Sequence, residues 1–273
     1  MNLYHYTSID NLALILKNRT IRFSRLDCVD DVEESSVYDG VIVPMGKYTF
    51  VSCWTDNEEE SIPLWNLYTP KMKGVRIKMC SSDMFLKYKY KPGIYNTTSG
   101  TVTINNEELE TYFPLEEQFN HIYTILNQGL ESDDFIRKVE YLADYKELSQ
   151  SAINLTGEAS KPFLDINTRE VGKYKNKRWS FQEEVRFALT IVPTIKNPIT
   201  DQLEIIQSVQ LGIETPIKFY DLKMDDTAFS KMEITLGPHC TSSDQIILDS
   251  LIKTLNPTAI IKQSKLSGSL RIR

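Results

Sequence analysis

The spacing of apolar and polar positions changes several times along the chain. Leu3 to Tyr6 alternates as a short strand, and Ser8 then stands where a helix N-cap belongs. Leu12, Ile15 and Leu16 follow at helical spacing, and Asn18-Arg19 ends that helix. Thr20-Ile21-Arg22-Phe23-Ser24 alternates again, with Ile21 and Phe23 to one side and Arg22 and Ser24 to the other. Tyr48 to Trp54 is the next predicted strand, with Phe50, Ser52 and Trp54 sharing a face. A short helix is expected through Leu64, Trp65 and Tyr68. Gly74 to Met79 then sets Val75, Ile77 and Met79 against Arg76 and Lys78.

The middle of the chain changes character. Residues 107–150 are rich in helix formers, and Leu115, Phe119, Ile122 and Leu126 make a helical stripe that ends at Gly129. Ser132 is expected to cap a second helix carrying Phe135, Val139 and Leu142 on one side. Residues 151–175 read as loop. A strand is expected over 181–191, with further short strands near Ser208–Ile213, Met232–Leu236, Ala259–Lys262 and Leu270–Ile272. Ser243 is expected to cap a helix through Ile246, Ile247 and Leu251, stopped by Asn256-Pro257. Many short strands with helices early and in the middle predict an α+β fold. Strict βαβ alternation is missing, and neither GxGxxG nor GxxxxGK[ST] occurs, which argues against doubly wound nucleotide folds and phosphate-loop enzymes. With no repeat and no low-complexity linker, residues 1–273 are expected to form a single domain, with 107–150 a mainly helical insertion.

Composition narrows the class of function. The 273 residues carry a net charge of -6, so nucleic acid would need a local basic patch. The four cysteines, at 28, 53, 80 and 240, have neither metal spacing nor a disulfide framework, and the histidines at 5, 121 and 239 are scattered. No zinc or other metal is expected. The N-terminus lacks a signal pattern, and no apolar run approaches the roughly 20 residues that span a bilayer. A cytoplasmic protein without membrane partners is expected.

Five stretches are polar where regular structure does not require it: Tyr4-His5-Tyr6-Thr7, Arg22 with Ser24, Ser52-Cys53-Trp54-Thr55, Leu64-Trp65-Asn66-Leu67-Tyr68, and Trp179 to Phe187. In the last, Gln182, Glu184 and Arg186 alternate with Phe181, Val185 and Phe187, and Glu183 falls on the apolar side. That is either a solvated strand or the wall of a polar site. Each of the others has a plain alternative. His5 would bond a nearby carbonyl, Arg22 and Ser24 would line an exposed strand face, and Trp54, Trp65 and Tyr68 would be packing residues. Lys173, Lys175, Lys177 and Arg178 form a basic cluster, read as a solvated loop or as a patch for an anionic target.

Taken in order, a strand with His5, a strand with Ser52, and a late strand with Gln182-Glu183-Glu184 resemble the ADP-ribosyltransferase superfamily. Nearly the whole chain also resembles an uncharacterised bacterial domain family related to it. The family pattern runs YHYT, N-D-x-x-E, W-x-x-Y and W-x-x-E-x-E-x-R. Here it reads Tyr4-His5-Tyr6-Thr7, Asp30-Asp31-Val32-Glu33-Glu34, Trp65-x-x-Tyr68 and Trp179-x-x-Gln182-x-Glu184-x-Arg186, with a similar Leu236-Gly237-Pro238 turn. Asp30 replaces the usual Asn, and Gln182 the usual Glu.

The resemblance implies a split β-sheet, an NAD-binding cleft and cleavage of the nicotinamide–ribose bond. It implies Glu184 as the catalytic carboxylate and Gln182 as the group orienting the acceptor, through an amide that both donates and accepts. The expected NAD-binding residues are His5, Tyr6, Thr7, Arg22, Ser24, Ser52, Trp54, Trp65, Tyr68 and Arg186. Within that set His5 would bond the adenosine ribose and Ser52 would support Glu184. Trp54, Trp65 or Tyr68 would stack on a ring, and Arg22 would pair with the pyrophosphate. Arg186 would do that instead, or clamp Glu184. The implied function is mono-ADP-ribosylation of a macromolecule, nucleic acid or protein, in a bacterial toxin or phage-defence effector with an antitoxin or regulatory protein. An NAD glycohydrolase, an RNA 2′-phosphotransferase and a non-enzymatic nucleotide- or protein-binding module are the alternatives.

Overall fold

The computed structural model describes residues 1–38, 43–105, 107–126, 135–158, 161–196, 203–204, 208–209 and 211–271. Ten strands form one sheet. They are β1 (Asn2–Thr7), β2 (Thr20–Arg25), β3 (Thr49–Thr55), β4 (Val75–Cys80), β5 (Tyr123–Leu126), β6 (Ile136–Lys138), β7 (Glu184–Pro193), β8 (Phe219–Lys223), β9 (Glu233–Leu236) and β10 (Ile260–Gln263). The helices include α1 (Ile9–Asn18), α2 (Val32–Ser36), α3 (Ile62–Tyr68), α4 (Leu115–Gln118), α5 (Tyr145–Gln150), α6 (Asp226–Ser230) and α7 (Ser242–Leu255). The α+β class follows.

Local rules set the first elements. Ser8 Oγ accepts from Asn11 N–H at 3.1 Å and starts α1. Arg19, left-handed at φ 52°, ends it. Ser61 Oγ caps α3 at 3.4 Å, with Pro63 in the first turn.

The sheet branches at β3. On one side β3 pairs with β7 from Glu184↔Thr55 to Thr190↔Thr49. On the other it meets β1 only at Tyr4↔Thr55, and β2 only at Ser24↔Val51 and Arg25↔Phe50. β1 and β2 diverge, and the β3 edge from Ser52 to Trp54 lies in the fork between them. From β1 the sheet continues through β4 and β9 to β10, and from β2 to β8.

Alternation gives the two faces different work. Leu3, Phe50, Trp54, Val75, Ile77, Phe187 and Ile234 join Leu12 and Leu16 of α1 and Leu248 and Ile252 of α7 in the main core. Each such fully buried side chain contributes about 1.5–3 kcal/mol. On the opposite face Tyr6 packs with Leu64, Trp65 and Met72, while Val51, Ala188 and Val192 pack with Leu26, Tyr38 and Tyr48. Glu184 and Arg186 fall on this second face, between its two apolar patches. The turn after β9 is tight: a Cβ on Gly237 would lie 2.5 Å from Met72 O, so only glycine allows that approach.

Several expectations are corrected. The described part of 107–150 is not mainly helical: α4 and α5 are short, and β5, β6, Leu109–Thr111 and Glu140–Leu142 are strands. Leu115 and Phe119 share a stripe only through one short helix, after which Tyr123 and Ile125 continue in β5. Gly129 and Ser132 lie outside the described residues. Within 151–175, Ile153–Glu158 and Lys161–Ile166 pair as an antiparallel ladder rather than a loop. Ser208 and Val209 are not extended, and neither are Leu270 and Arg271; Ile272 lies outside the described residues. The cap of α7 is Thr241, in a capping box with Asp244, and Ser243 is inside the helix.

Candidate functional site

The fork opens into a cleft of about 300 Å³. Its walls come from His5 and Thr7 of β1, Asn11 and Ile15 of α1, and Arg22 and Ser24 of β2. A smaller chamber of about 70 Å³ adjoins it, reaching Trp54, Thr55, Leu64, Gln182 and Glu184. His5, Tyr6, Cys53 and Tyr68 line both.

Glu184 begins β7 and is 4% exposed. Its carboxylate accepts from Arg186, through Nε and also Nη2 at 3.1 Å, and from Lys175 Nζ at 3.3 Å. Its backbone N–H donates to Tyr141 Oη at 2.9 Å. Burial alone would raise its pKa; the cations Arg186 and Lys175 outweigh burial and hold it well below the usual carboxylate range, near 2.

The second buried carboxylate is Glu34 of α2, 1% exposed. It pairs with Arg186 Nη1, with Arg186 Nη2 at 2.9 Å and with Lys175 Nζ at 3.5 Å. Arg186 Nη1 also donates to Gly172 O at 2.7 Å, so all five N–H bonds of this guanidinium are engaged. Two buried cations and two buried carboxylates thus balance.

A polar chain links this cluster to the cleft. Lys175 Nζ donates to Gln182 Oε1 at 2.8 Å, Gln182 Nε2 to Tyr68 Oη at 2.6 Å, and Tyr68 Oη to Asp30 Oδ2 at 2.8 Å. An ammonium only donates, which orients the amide, and the amide N–H and the Asp30 carboxylate orient the hydroxyl. Asp31 caps α2, accepting from Glu33 N–H at 3.1 Å, and burial pushes its carboxyl up.

His5 is held at the fork by Cys53 O, 2.8 Å from its Nδ1. A carbonyl only accepts, so Nδ1 carries the proton and Nε2 is left as an acceptor. Burial lowers the ring's pKa and favours the neutral form. The His5 ring lies 5.1 Å from that of Trp54. The carbonyl contact expected of an ordinary histidine is therefore present, and it fixes a tautomer beside the cleft.

The other expected residues divide. Tyr6, Thr7, Ser24 and Tyr68 line the cleft. Tyr6 Oη accepts from Ser61 N–H, and Thr7 Oγ1 from Asn11 Nδ2. Arg22 also lines it, but its fork is occupied by Asp221, at 2.8 and 2.9 Å, and it stacks on Phe219 at 3.7 Å. Ser52 does not support Glu184: it projects to the opposite face, opposite Phe187, and accepts from Trp54 Nε1 at 3.0 Å. Trp65 lies away from both cavities, fully buried, donating to Glu60 Oε2 at 3.0 Å. Arg186 clamps Glu184 and has no donor left for a pyrophosphate.

Gln182 is beside Glu184 but not on its strand. Lys177–Gln182 is a 3₁₀ turn, and Glu183, left-handed at φ 42°, reverses the local direction before β7 starts. Phe181 is consequently exposed. Because Lys175 occupies Oε1, Gln182 offers the chamber donors only, not the donor–acceptor amide expected from its side-chain chemistry.

Glu34, Lys175, Asp30 and Asp221 were not singled out as site residues. The Asp31-x-x-Glu34 spacing, that of a cap and the third helical position, was a usable signal for Glu34. The basic cluster is not a free patch. Lys175 is buried, Lys173 pairs with Glu140 and Glu170 at 3.2 Å, and Arg178 with Glu33 at 3.4 Å.

Among the described residues, no cluster of His, Cys, Asp and Glu is placed to hold a metal, and no helix is long and apolar enough to cross a membrane. Comparison with protein-family models, curated proteins and solved structures finds no match to this chain.

Proposed function

We propose that the forked cleft binds NAD and that the chain is an NAD-dependent ADP-ribosyltransferase acting on a macromolecule, nucleic acid or protein. The observation that carries this reading is Glu184. It is an ionised carboxylate lining the smaller chamber, immobilised by two cations, with Thr55, Tyr68 and Gln182 lining the same chamber. Departure of nicotinamide builds positive charge on the ribose, and a fixed carboxylate stabilises it without reorganising. With Arg186 and Lys175 balancing it, Glu184 presents an oriented dipole rather than a free anion. Its depressed pKa suits electrostatic stabilisation and rules out a role as general acid near neutrality. The fork in the sheet and the neutral His5 acceptor agree with the split sheet and ribose contact that the sequence resemblance implies. A cytoplasmic bacterial toxin or phage-defence effector, checked by an antitoxin or regulatory protein, is the setting we propose with it.

A second reading has its own observation. The chamber at Glu184, about 70 Å³, is smaller than the roughly 300 Å³ or more of ordinary ligand sites. Glu184 would then be a structural counter-ion in a nucleotide- or protein-binding module.

The deciding experiment incubates wild type and Glu184→Gln with labelled NAD and cell extract, each at a temperature where its melting curve shows it folded. Nicotinamide release and macromolecular label from wild type alone support the transferase, and nuclease or protease sensitivity names the acceptor. Release without label points to a glycohydrolase, and transfer of an RNA 2′-phosphate to the phosphotransferase. A folded wild type that does none of these moves the binding module ahead.

A further inference from the structure

We propose that the hairpin of Gly93–Thr97 and Gly100–Ile104 is a self-association surface. A second copy of this chain adds antiparallel to the outer edge of Gly100–Ile104, about a two-fold axis at Val102. The surface lies apart from the cleft and the chamber, whose linings include none of these residues.

Charge sets this hairpin apart. Charged residues make up 25% of the sequence, yet none falls between Pro92 and Asn105. The other two-stranded ladders all carry charged residues, among them Lys89 with Glu110 and Glu140 with Lys175. Charges on an exposed edge are a usual guard against pairing with another chain. Among the described residues no further strand pairs with this hairpin, so its edges are open as well as unguarded. Two copies that each carry a net charge of -6 repel over most of their surface and meet here without repulsion.

The hairpin is anchored from its inner face. Ile104 is buried, and the Tyr95 ring meets that of Tyr90 at 5.3 Å. Its turn has two residues, Thr98 and Ser99, which makes Thr97 and Gly100 a hydrogen-bonded pair. By the alternation of an antiparallel ladder, Val102 then turns its N–H and C=O inward to Tyr95, while Thr101 and Thr103 turn theirs outward.

Thr101-Val102-Thr103 reads the same in both directions. An antiparallel second copy therefore sets its Thr103 opposite Thr101 and its Thr101 opposite Thr103, each N–H donating to the facing carbonyl. Val102 meets Val102 of the second copy at the closer, non-bonded position, where β-branched side chains pack. The contact is isologous and joins two isolated hairpins into one sheet. So few residues meet that it falls well below the roughly 800 Å² per partner of a standard interface, and the dimer is expected to be weak.

Sedimentation equilibrium of the wild-type chain from about 1 µM to about 1 mM covers the affinity of such a contact. The mean mass should climb from 31.5 kDa toward twice that value. Thr101→Lys with Thr103→Lys sets like charges opposite each other across the axis and should keep the chain monomeric. Thr101→Lys with Thr103→Glu sets opposite charges there and should dimerise at least about tenfold more tightly than the double-lysine variant. Both positions are exposed, so melting should not change. Amide exchange at Thr101 and Thr103 should slow as wild-type concentration rises, a readout that needs no substitution. A wild type that is monomeric throughout, dimers that survive the double-lysine variant, or exchange independent of concentration overturns the proposal. So does a monomer that takes an extended peptide on this edge, which would give the surface to a different partner.

Discussion

Glu34 and Arg186, 152 residues apart, form a two-pronged ion pair in which Arg186 Nη2 lies 2.9 Å from Glu34 Oε2. Both side chains are buried, at 1% and 0% exposure. The pair ties the acidic segment after β2 to the strand that carries Glu184, so the loop acts as the counter-ion of the site. Arg186 reaches Glu184 on one edge of its guanidinium and Glu34 on the other.

Removing one partner leaves a buried cation without its charge. Glu34→Gln should therefore cost about 3–5 kcal/mol in urea unfolding. Replacing Arg186 as well, in Glu34→Gln with Arg186→Met, should recover part of that loss, because the stranded charge goes too. A single-variant cost below about 1 kcal/mol, the range of surface pairs, would show that the pair does not hold this region together.

Acid tests Glu184 directly. Its folded pKa is depressed below that of the unfolded chain by Arg186 and Lys175. The stability it contributes is thus fully present above the unfolded carboxyl value, about 4.3, and is lost as pH falls toward the folded value. Wild type should lose stability steeply from about pH 5 downward, and Glu184→Gln should be less stable at neutral pH but flatter over that interval. Parallel pH curves for the two proteins would contradict the shift.

His5 titrates in the other half of the range. Burial lowers its folded pKa below the unfolded value of 6.5, so between those values the unfolded chain binds the extra proton. Stability should rise with pH up to about 6.5 and level off above, and His5→Phe should remove that slope. Nitrogen chemical shifts of the imidazole should show a proton on Nδ1 only. A proton on Nε2 would mean that the bond to Cys53 O is misassigned and that the cleft faces a donor.

The first strands and helices were legible because each has one apolar face, and α1 also has a plain cap in Ser8 and a stop at Arg19. The stretch from Leu115 to Leu142 misled because its apolar residues also satisfy short strands, and the strand pairings of Thr124 and Ile136 with β7 are long-range. β8 carried a signal that was overlooked, since Tyr220 and Leu222 alternate with Phe219, Asp221 and Lys223. In the site, the neighbourhood of Glu184 and Arg186 could be read from their i, i+2 spacing. That Glu34 and Lys175 pair with them could not, since charged side chains are almost never fully buried unless paired, and the pairing is set only by the fold. Ser52 does not stand beside Glu184 because the strand register, which the sequence alone does not give, puts Thr55 there instead.

The pair Arg22–Asp221 decides whether the far end of the cleft takes a phosphate. Both side chains are partly exposed, at 49% and 28%, so breaking the pair costs at most about 1 kcal/mol. If Arg22 turns to a pyrophosphate, Asp221 competes with the ligand and repels it. Asp221→Asn should then tighten ADP binding two- to fivefold, about 0.4–1 kcal/mol, and make it more sensitive to salt. Arg22→Gln should weaken it and remove that sensitivity. Calorimetry with ADP and with adenosine separates the roles, since only the nucleotide should respond to Asp221→Asn. If adenosine and ADP respond alike, Arg22 recognises no phosphate, and its stacking on Phe219 is a matter of packing between β2 and β8.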